Sequence, residues 1–241
     1  LKKKRRKGEM MAKKGERKHM KRISASKVLP ITDKKKNVFI KNPSPGKHSK
    51  RTGAPVVFVL REMLGEVSNA REARVVLNAG KVYVDGKVVK DDGFPVGLMD
   101  VLSIPEEKKS FRIMLDEKGR LKAVRISEGE NLKPLKIKNK VTVGSGVFQL
   151  TFHDGRTLIT KDNRYKLGDS VLFQLDSKKI IDHIKLAPGV TCLITEGKHA
   201  GKKAKLKEIV ERMGRKEAVL DAGGKEIITL AGYLFPIPDG W

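Results

Sequence analysis

Residues 1–51 hold 20 of the chain's 53 lysines and arginines but only three of its 28 acidic residues, Glu9, Glu16 and Asp33. Clustered cations with almost no counter-charge repel one another and cannot collapse into a core of their own. The segment also lacks the long apolar stripe that lets a helix bury one face. Core building therefore falls to the rest of the chain, where 33 basic residues meet 25 acidic ones. A dense array of phosphates compensates such a segment, because each neutralising contact releases a condensed counterion. Nucleic acid is the expected partner.

With 241 residues and 39% hydrophobic side chains, the chain is long for one compact domain and has room for two or three small ones. Only 5% of residues are aromatic, so the cores are expected to rest on Val, Ile and Leu. An isoelectric point near 10.1 fits polyanion binding by arm and body alike. The single cysteine, Cys192, excludes an internal disulfide and a cysteine-rich zinc site, and fits a reducing compartment. No apolar run approaches the ~18–20 residues of a membrane span, and no apolar core follows the basic start as in a signal peptide. The expectation is a soluble cytoplasmic protein. Met11-Ala12 is a natural initiator pair, so residues 1–10 read as an extension ahead of a start at Met11; the alternative is a genuine basic tail.

The pattern predicts a multidomain, mostly β chain with one small α+β module. Residues 1–52 form a basic N-terminal extension that orders on binding, its candidate contacts being Lys13, Lys14, Arg17, Lys18, Lys21, Arg22, Lys47, His48, Lys50 and Arg51. Pro43 and Pro45 hold its end extended. Residues 53–104 form the α+β module. Pro55 opens a helix that ends at Gly65, and Ser68 caps a second helix ending at Gly80. Arg71 and Arg74 fall on one face of that helix, with Lys81 just beyond it. Asp85-Gly86 turns a hairpin, and Val96-Gly97 with Val101–Ile104 reads as a returning strand pair.

Residues 105–186 read as a central β barrel or sandwich, with hairpins at Asp116–Gly119, at Asp154-Gly155 and around Ser177. Lys136, Lys138 and Lys140 share a strand face there, close to Lys133. Residues 187–241 open with Pro188-Gly189 and a strand over 190–195, then a loop with Gly197, Lys198 and Gly201. Lys203, Lys205 and Lys207 next alternate with Ala204 and Leu206, which places three amines on one outer strand face.

The string from Ser68 through Arg71, Arg74, Gly80 and Lys81 to Lys87 resembles the S4-like, or alpha-L, RNA-binding module of two helices and a hairpin. The segment 196–209 resembles a KOW motif, the strand-loop-strand core of an SH3-like barrel, whose glycines would admit a phosphate backbone. The order of parts, with Ser44–His48, residues 14–22, residues 97–104 and residues 230–237, resembles the small-subunit ribosomal protein family S4e of archaea and eukaryotes. That resemblance implies binding to small-subunit rRNA beside neighbouring ribosomal proteins, and an archaeal member. It implies no cofactor, no small-molecule substrate and no membrane.

No catalytic or metal site is predicted. His19, His48, His153, His183 and His199 lie at no metal-ligand spacing from one another or from Cys192. His19, His48 and His199 sit among lysines and are expected to touch phosphate or solvent; His153 reads as a surface residue and Cys192 as a small core residue. The pairs Asp91-Asp92 and Glu106-Glu107 lie at turns with no partner legible in the sequence. Two alternatives from other classes are an RNA-modifying enzyme carrying an S4-like domain and a KOW-containing transcription factor.

Overall fold

The computed structural model describes residues 18–241 apart from 36, 128, 145, 213, 239 and 240. Lys13, Lys14 and Arg17 lie outside the described residues. The chain enters through a small hairpin, β1 (His19–Lys21) paired antiparallel with β2 (Phe39–Lys41). Ala25, Leu29, Ile31 and Ile40 bury in the same core as the helices that follow. These four apolar side chains, scattered without period, seat part of the basic extension on the folded module, beside the expectation that residues 1–52 order on binding.

β3 (Ala54–Pro55) leads into α1 (Val56–Phe58), which continues as a π-helical stretch Val59–Leu64 and stops at Gly65, left-handed at φ 75°. α2 (Ala70–Asn78) starts one residue later than expected. Asn69, not Ser68, caps it, its side chain accepting from the backbone N–H groups of Arg71 and Glu72 at 3.0 and 2.9 Å. β4 (Tyr83–Val84) and β5 (Lys87–Val88) pair across Asp85 and Gly86, whose φ values of 50° and 73° are those of the expected tight turn.

The strand pair expected from Val96-Gly97 and Val101–Ile104 does not form. β6 (Pro95–Val96) pairs with β3, whereas β7 (Val101–Ile104) pairs with β4 and with β8 (Lys109–Leu115). A turn through Met99 at φ 65°, held by Gly97 N–H donating to the Asp100 carboxylate at 3.0 Å, sends the two strands to different partners. With β9 (Leu121–Ile126) the sheet order is β5-β4-β7-β8-β9. The strand pairing therefore crosses the expected boundary at 104/105, since the hairpin of β8 and β9 extends the sheet of the preceding module.

A second sheet, in the order β12-β11-β10-β13-β14, comprises β10 (Leu132–Gly144), β11 (Val147–Phe152), β12 (Thr157–Thr160), β13 (Ser170–Gln174) and β14 (Lys179–Ile184). Leu135, Ile137, Leu150, Phe152, Val171 and Phe173 fill its core. A third, ordered β18-β17-β16-β15-β19, comprises β15 (Thr191–Ile194), β16 (Lys203–Arg212), β17 (Arg215–Asp221), β18 (Glu226–Leu230) and β19 (Leu234–Pro236). Cys192, Ala204, Leu206, Ala218 and Leu220 lie at its centre. Met99, Leu193, Phe235 and Ile237 form a further cluster, against which Met114 and Leu115 pack, so the first and third sheets share apolar contact.

Candidate nucleic-acid interface

The cations divide into an outward set and an inward set. Lys18, Lys21, Lys50, Arg51, Arg71, Lys87, Lys198 and Lys205 are exposed, and among the described residues none of these has a carboxylate within ion-pair distance. Their positions follow from local structure. The pleat of β1 turns Lys21 away from the core side occupied by Met20 and Ile40. Helical spacing puts Arg71 and Arg74 opposite the buried Ala73 and Leu77. The burial alternation of β16 sends Lys203, Lys205 and Lys207 outward while Ala204 and Leu206 point in.

Several of the remaining candidates are already committed to protein. Arg22 is buried, with its guanidinium bidentate on Glu62 at 2.9 and 2.6 Å and its Nε donating to the Asp33 carbonyl. Burial pushes the Glu62 carboxyl up, but Arg22 and Arg61 outweigh it and hold it below the usual range. His48 is buried with Nε2 at 3.0 Å from Asp100, and Lys47 pairs with Asp85. These three therefore belong to the fold rather than to a phosphate-facing surface. Arg74 is exposed but donates to Asp92, Lys81 pairs with Glu106, and Lys207 with Glu226, each at 2.8 Å; Lys203 donates to the Trp241 carbonyl. Asp92 also takes Lys41, so Asp92 and Glu106 have partners distant in sequence, whereas Glu107 pairs with Lys109 two residues on.

The strongest electrostatic feature was invisible in the sequence. Lys133 is wholly buried, and its ammonium meets Asp100 at 2.5 Å, Asp85 at 2.8 Å and Asp154 at 3.1 Å. Arg156 adds contacts to Asp85 and Asp154, and Lys47 and His48 close the cluster from the N-terminal side. Burial opposes the charge on Asp100, yet Lys133, His48 and Lys47 outweigh it and hold its carboxyl well below the ordinary value. Burial would likewise depress the Lys133 amine, but Asp100, Asp85 and Asp154 raise it instead. The three carboxylates come from two Asp-Gly turns and one turn before β7, at spacings that carry no periodic signal. An ammonium on a strand beside a proline was the only hint.

The expected lysine face on β10 also changes character. Lys136 donates to the Gly232 carbonyl at 2.6 Å, and burial pulls its amine down to about 8. Lys140 donates to Asn163 and Tyr165, which leaves Lys138 exposed to solvent. His153, expected at the surface, is enclosed: the backbone N–H of Lys136 points at Nδ1, Nε2 faces the Leu98 carbonyl, and the ring stands edge-on to Phe235 at 5.1 Å. Burial, with Lys133 nearby, lowers it to about 4, so it is neutral.

The glycines of the loop between β15 and β16 have unlike surroundings. Gly201, at φ 89°, lies so near the Asp116 backbone that a Cβ there would stand 1.8 Å from that carbonyl oxygen. At Gly201 the close approach is thus made to the turn between β8 and β9, whereas a Cβ at Gly197 would meet only the Tyr233 ring at 3.6 Å. Cys192 is buried and its thiol is pushed up to about 12 by burial, as a core residue requires. Among the described residues no three potential metal ligands cluster, and no helix is long and apolar enough to cross a membrane.

Comparison with known proteins follows the same plan of parts. The model of ribosomal family S4e matches residues 107–180, and that of the S4 domain matches residues 57–102. A Methanococcus aeolicus protein named small ribosomal subunit protein eS4 is 39% identical over 95% of this chain and 97% of its own length. The protein of that name from Methanosphaera stadtmanae is 41% identical over 94% of this chain and 95% of its own. Among solved structures, the 30S ribosomal protein S4e from Thermoplasma acidophilum superposes with a TM-score of 0.70 at 30% identity, covering 78% of this chain and 96% of that one. Similarity of this extent, with the S4 domain lying on the helices and hairpin that carry Arg71 and Lys87, means that the chain belongs to ribosomal family S4e.

Proposed function

We infer that this chain is a structural constituent of the small ribosomal subunit, bound there to small-subunit rRNA and to neighbouring ribosomal proteins. One observation carries the reading: its identity of 39% over 95% of its length with a protein named for that subunit. The charge geometry agrees, because the buried Asp85, Asp100 and Asp154 are engaged by Lys47, Lys133 and Arg156 while Lys18, Lys21, Lys50, Arg51, Arg71, Lys87, Lys198 and Lys205 remain outward. Membership of a ribosomal structural family leaves no place for the RNA-modifying-enzyme and transcription-factor alternatives.

The finer layout belongs to the same proposal. Residues 18–126 act as an S4-type module with its N-terminal segment docked, 132–184 as a central β module, and 191–237 as an SH3-like KOW module. The alternation of exposed lysines with buried Ala204 and Leu206 along β16, and the glycine loop before it, support the last assignment. Co-sedimentation of the tagged protein with small subunits at moderate salt tests the function. Retention that survives repeated washing is expected; recovery only in the free-protein fraction would overturn it.

A further inference from the structure

The outer face of the first hairpin carries four side chains, His19, Lys21, Phe39 and Lys41, in cross-strand pairs His19 with Lys41 and Lys21 with Phe39. Their neighbours Met20 and Ile40 point the other way, into the core. Phe39 is 58% exposed, and its ring centroid lies 6.0 Å from that of His19. The ring's exposed face is open to a flat partner, while its contact with His19 orients it on the hairpin. The face borders a groove of about 430 Å³, lined also by Val57, Arg61, Arg74 and Asp92.

The charges in this groove are paired. Asp92 takes both Lys41 and Arg74, and Glu62 takes Arg61. A floor of that kind has little net pull on a phosphate, yet offers a ring and guanidinium planes to a flat, polarizable partner. Close by along the chain, Lys18 precedes His19 and Lys21 stands opposite Phe39 across the hairpin; both are exposed and, among the described residues, have no carboxylate partner. Cations beside an aromatic surface is the arrangement that single-stranded nucleic acid requires, with phosphates tracked outside and bases stacked inside.

We propose that this groove seats an unpaired rRNA base stacked on Phe39, its flanking phosphates held by Lys18 and Lys21. The proposal rests on the rRNA-binding reading above and adds to it a site that engages a base rather than the backbone. Base stacking and phosphate neutralisation respond differently to salt, which separates the two in one experiment. Full-length wild type, Phe39→Ala and Phe39→Trp are titrated with protein-free small-subunit rRNA at several salt concentrations, with circular dichroism to confirm the fold. Short-wave ultraviolet crosslinking and mass spectrometry of the peptides follow.

Phe39→Ala is expected to weaken binding roughly ten-fold without changing the slope of log affinity against log salt. Phe39→Trp should restore affinity, and a nucleotide adduct should map to the peptide carrying Phe39. Wild-type binding with Phe39→Ala unchanged and no adduct would overturn the seat while leaving the functional reading intact. If Phe39→Ala binds naked rRNA normally but enters assembled subunits poorly, the occupant is a neighbouring protein and the base seat is wrong. Failure of wild type to bind the rRNA at all would remove both.

Discussion

Lys133 is the wholly buried cation that touches all three carboxylates, Asp85, Asp100 and Asp154, which Arg156, Lys47 and His48 reach only from the cluster's edge. Deleting one member of a buried ionic cluster is costly because the remaining charges stay out of water. Lys133→Met should therefore lower unfolding stability by about 3–5 kcal/mol, measured by denaturant titration; a loss below about 1 kcal/mol would mean that water reaches the cluster. The pH dependence has a defined sign. Asp100 has its folded value depressed below the ordinary 3.8, so its contribution is complete above that pH and is lost on acidification. Lys133 is raised above its ordinary 10.5, so its share is complete below that pH and is lost as pH rises through the folded value. His153 titrates between these limits. Lowered from 6.5 to about 4, it stays neutral in the folded protein while the unfolded chain already takes up a proton. Stability should therefore fall as pH drops from about 6.5 to about 4, and His153→Gln should flatten that part of the curve. An unaltered slope would assign it to another group. At this scale the sequence was least informative: Lys133 and His153 look like surface residues until turns remote in the chain are brought around them.

Strands and helices were far more legible, because period and turn chemistry are local. The Asp85-Gly86 turn, the stop at Gly65 and the alternation of Ala204 and Leu206 with three lysines could all be read directly, and the structure has each of them. The pairing of outward side chains was not legible, since Glu226 and Trp241 reach Lys207 and Lys203 from other elements. Lys207 is also the extra residue of a bulge, as Leu206 opposes Leu220 and Glu208 opposes Val219. The three amines are thus unequal. Lys205→Gln should reduce the slope of log affinity for small-subunit rRNA against log salt by about one unit. Lys207→Gln should reduce it less, because Glu226 already neutralises that charge. Equal effects would show that the ion pair with Glu226 opens on binding. An acidic residue at Leu206 should instead unfold the sheet, with loss of near-ultraviolet dichroism, since that side chain is 1% exposed.

The sheets are joined at points that neither periodicity nor composition marks. Lys133 and Arg156 reach from the second sheet to Asp85 and Asp100 in the first module; Lys136 reaches Gly232, and Met99 packs with Leu193 and Phe235. The family resemblance supplied the order of the parts, but their contacts depend on surfaces that exist only after each has folded. Gly201 offers the cleanest test of one such contact. Two costs attend a side chain there: the left-handed backbone at φ 89°, and collision with the Asp116 carbonyl. Gly224, at φ 88°, carries the first cost alone, as nothing lies within 4 Å of its would-be Cβ. Gly224→Ala should therefore lower stability by about 1 kcal/mol. Gly201→Ala should cost about 3 kcal/mol, because it adds an overpacking term to the same backbone strain. Both proteins should keep the wild-type salt slope for rRNA binding, since neither substitution removes a cation. Equal losses at the two positions would show that the loop before β16 does not press on the turn between β8 and β9. A reduced salt slope in Gly201→Ala alone would assign that loop the RNA-facing role first expected of it.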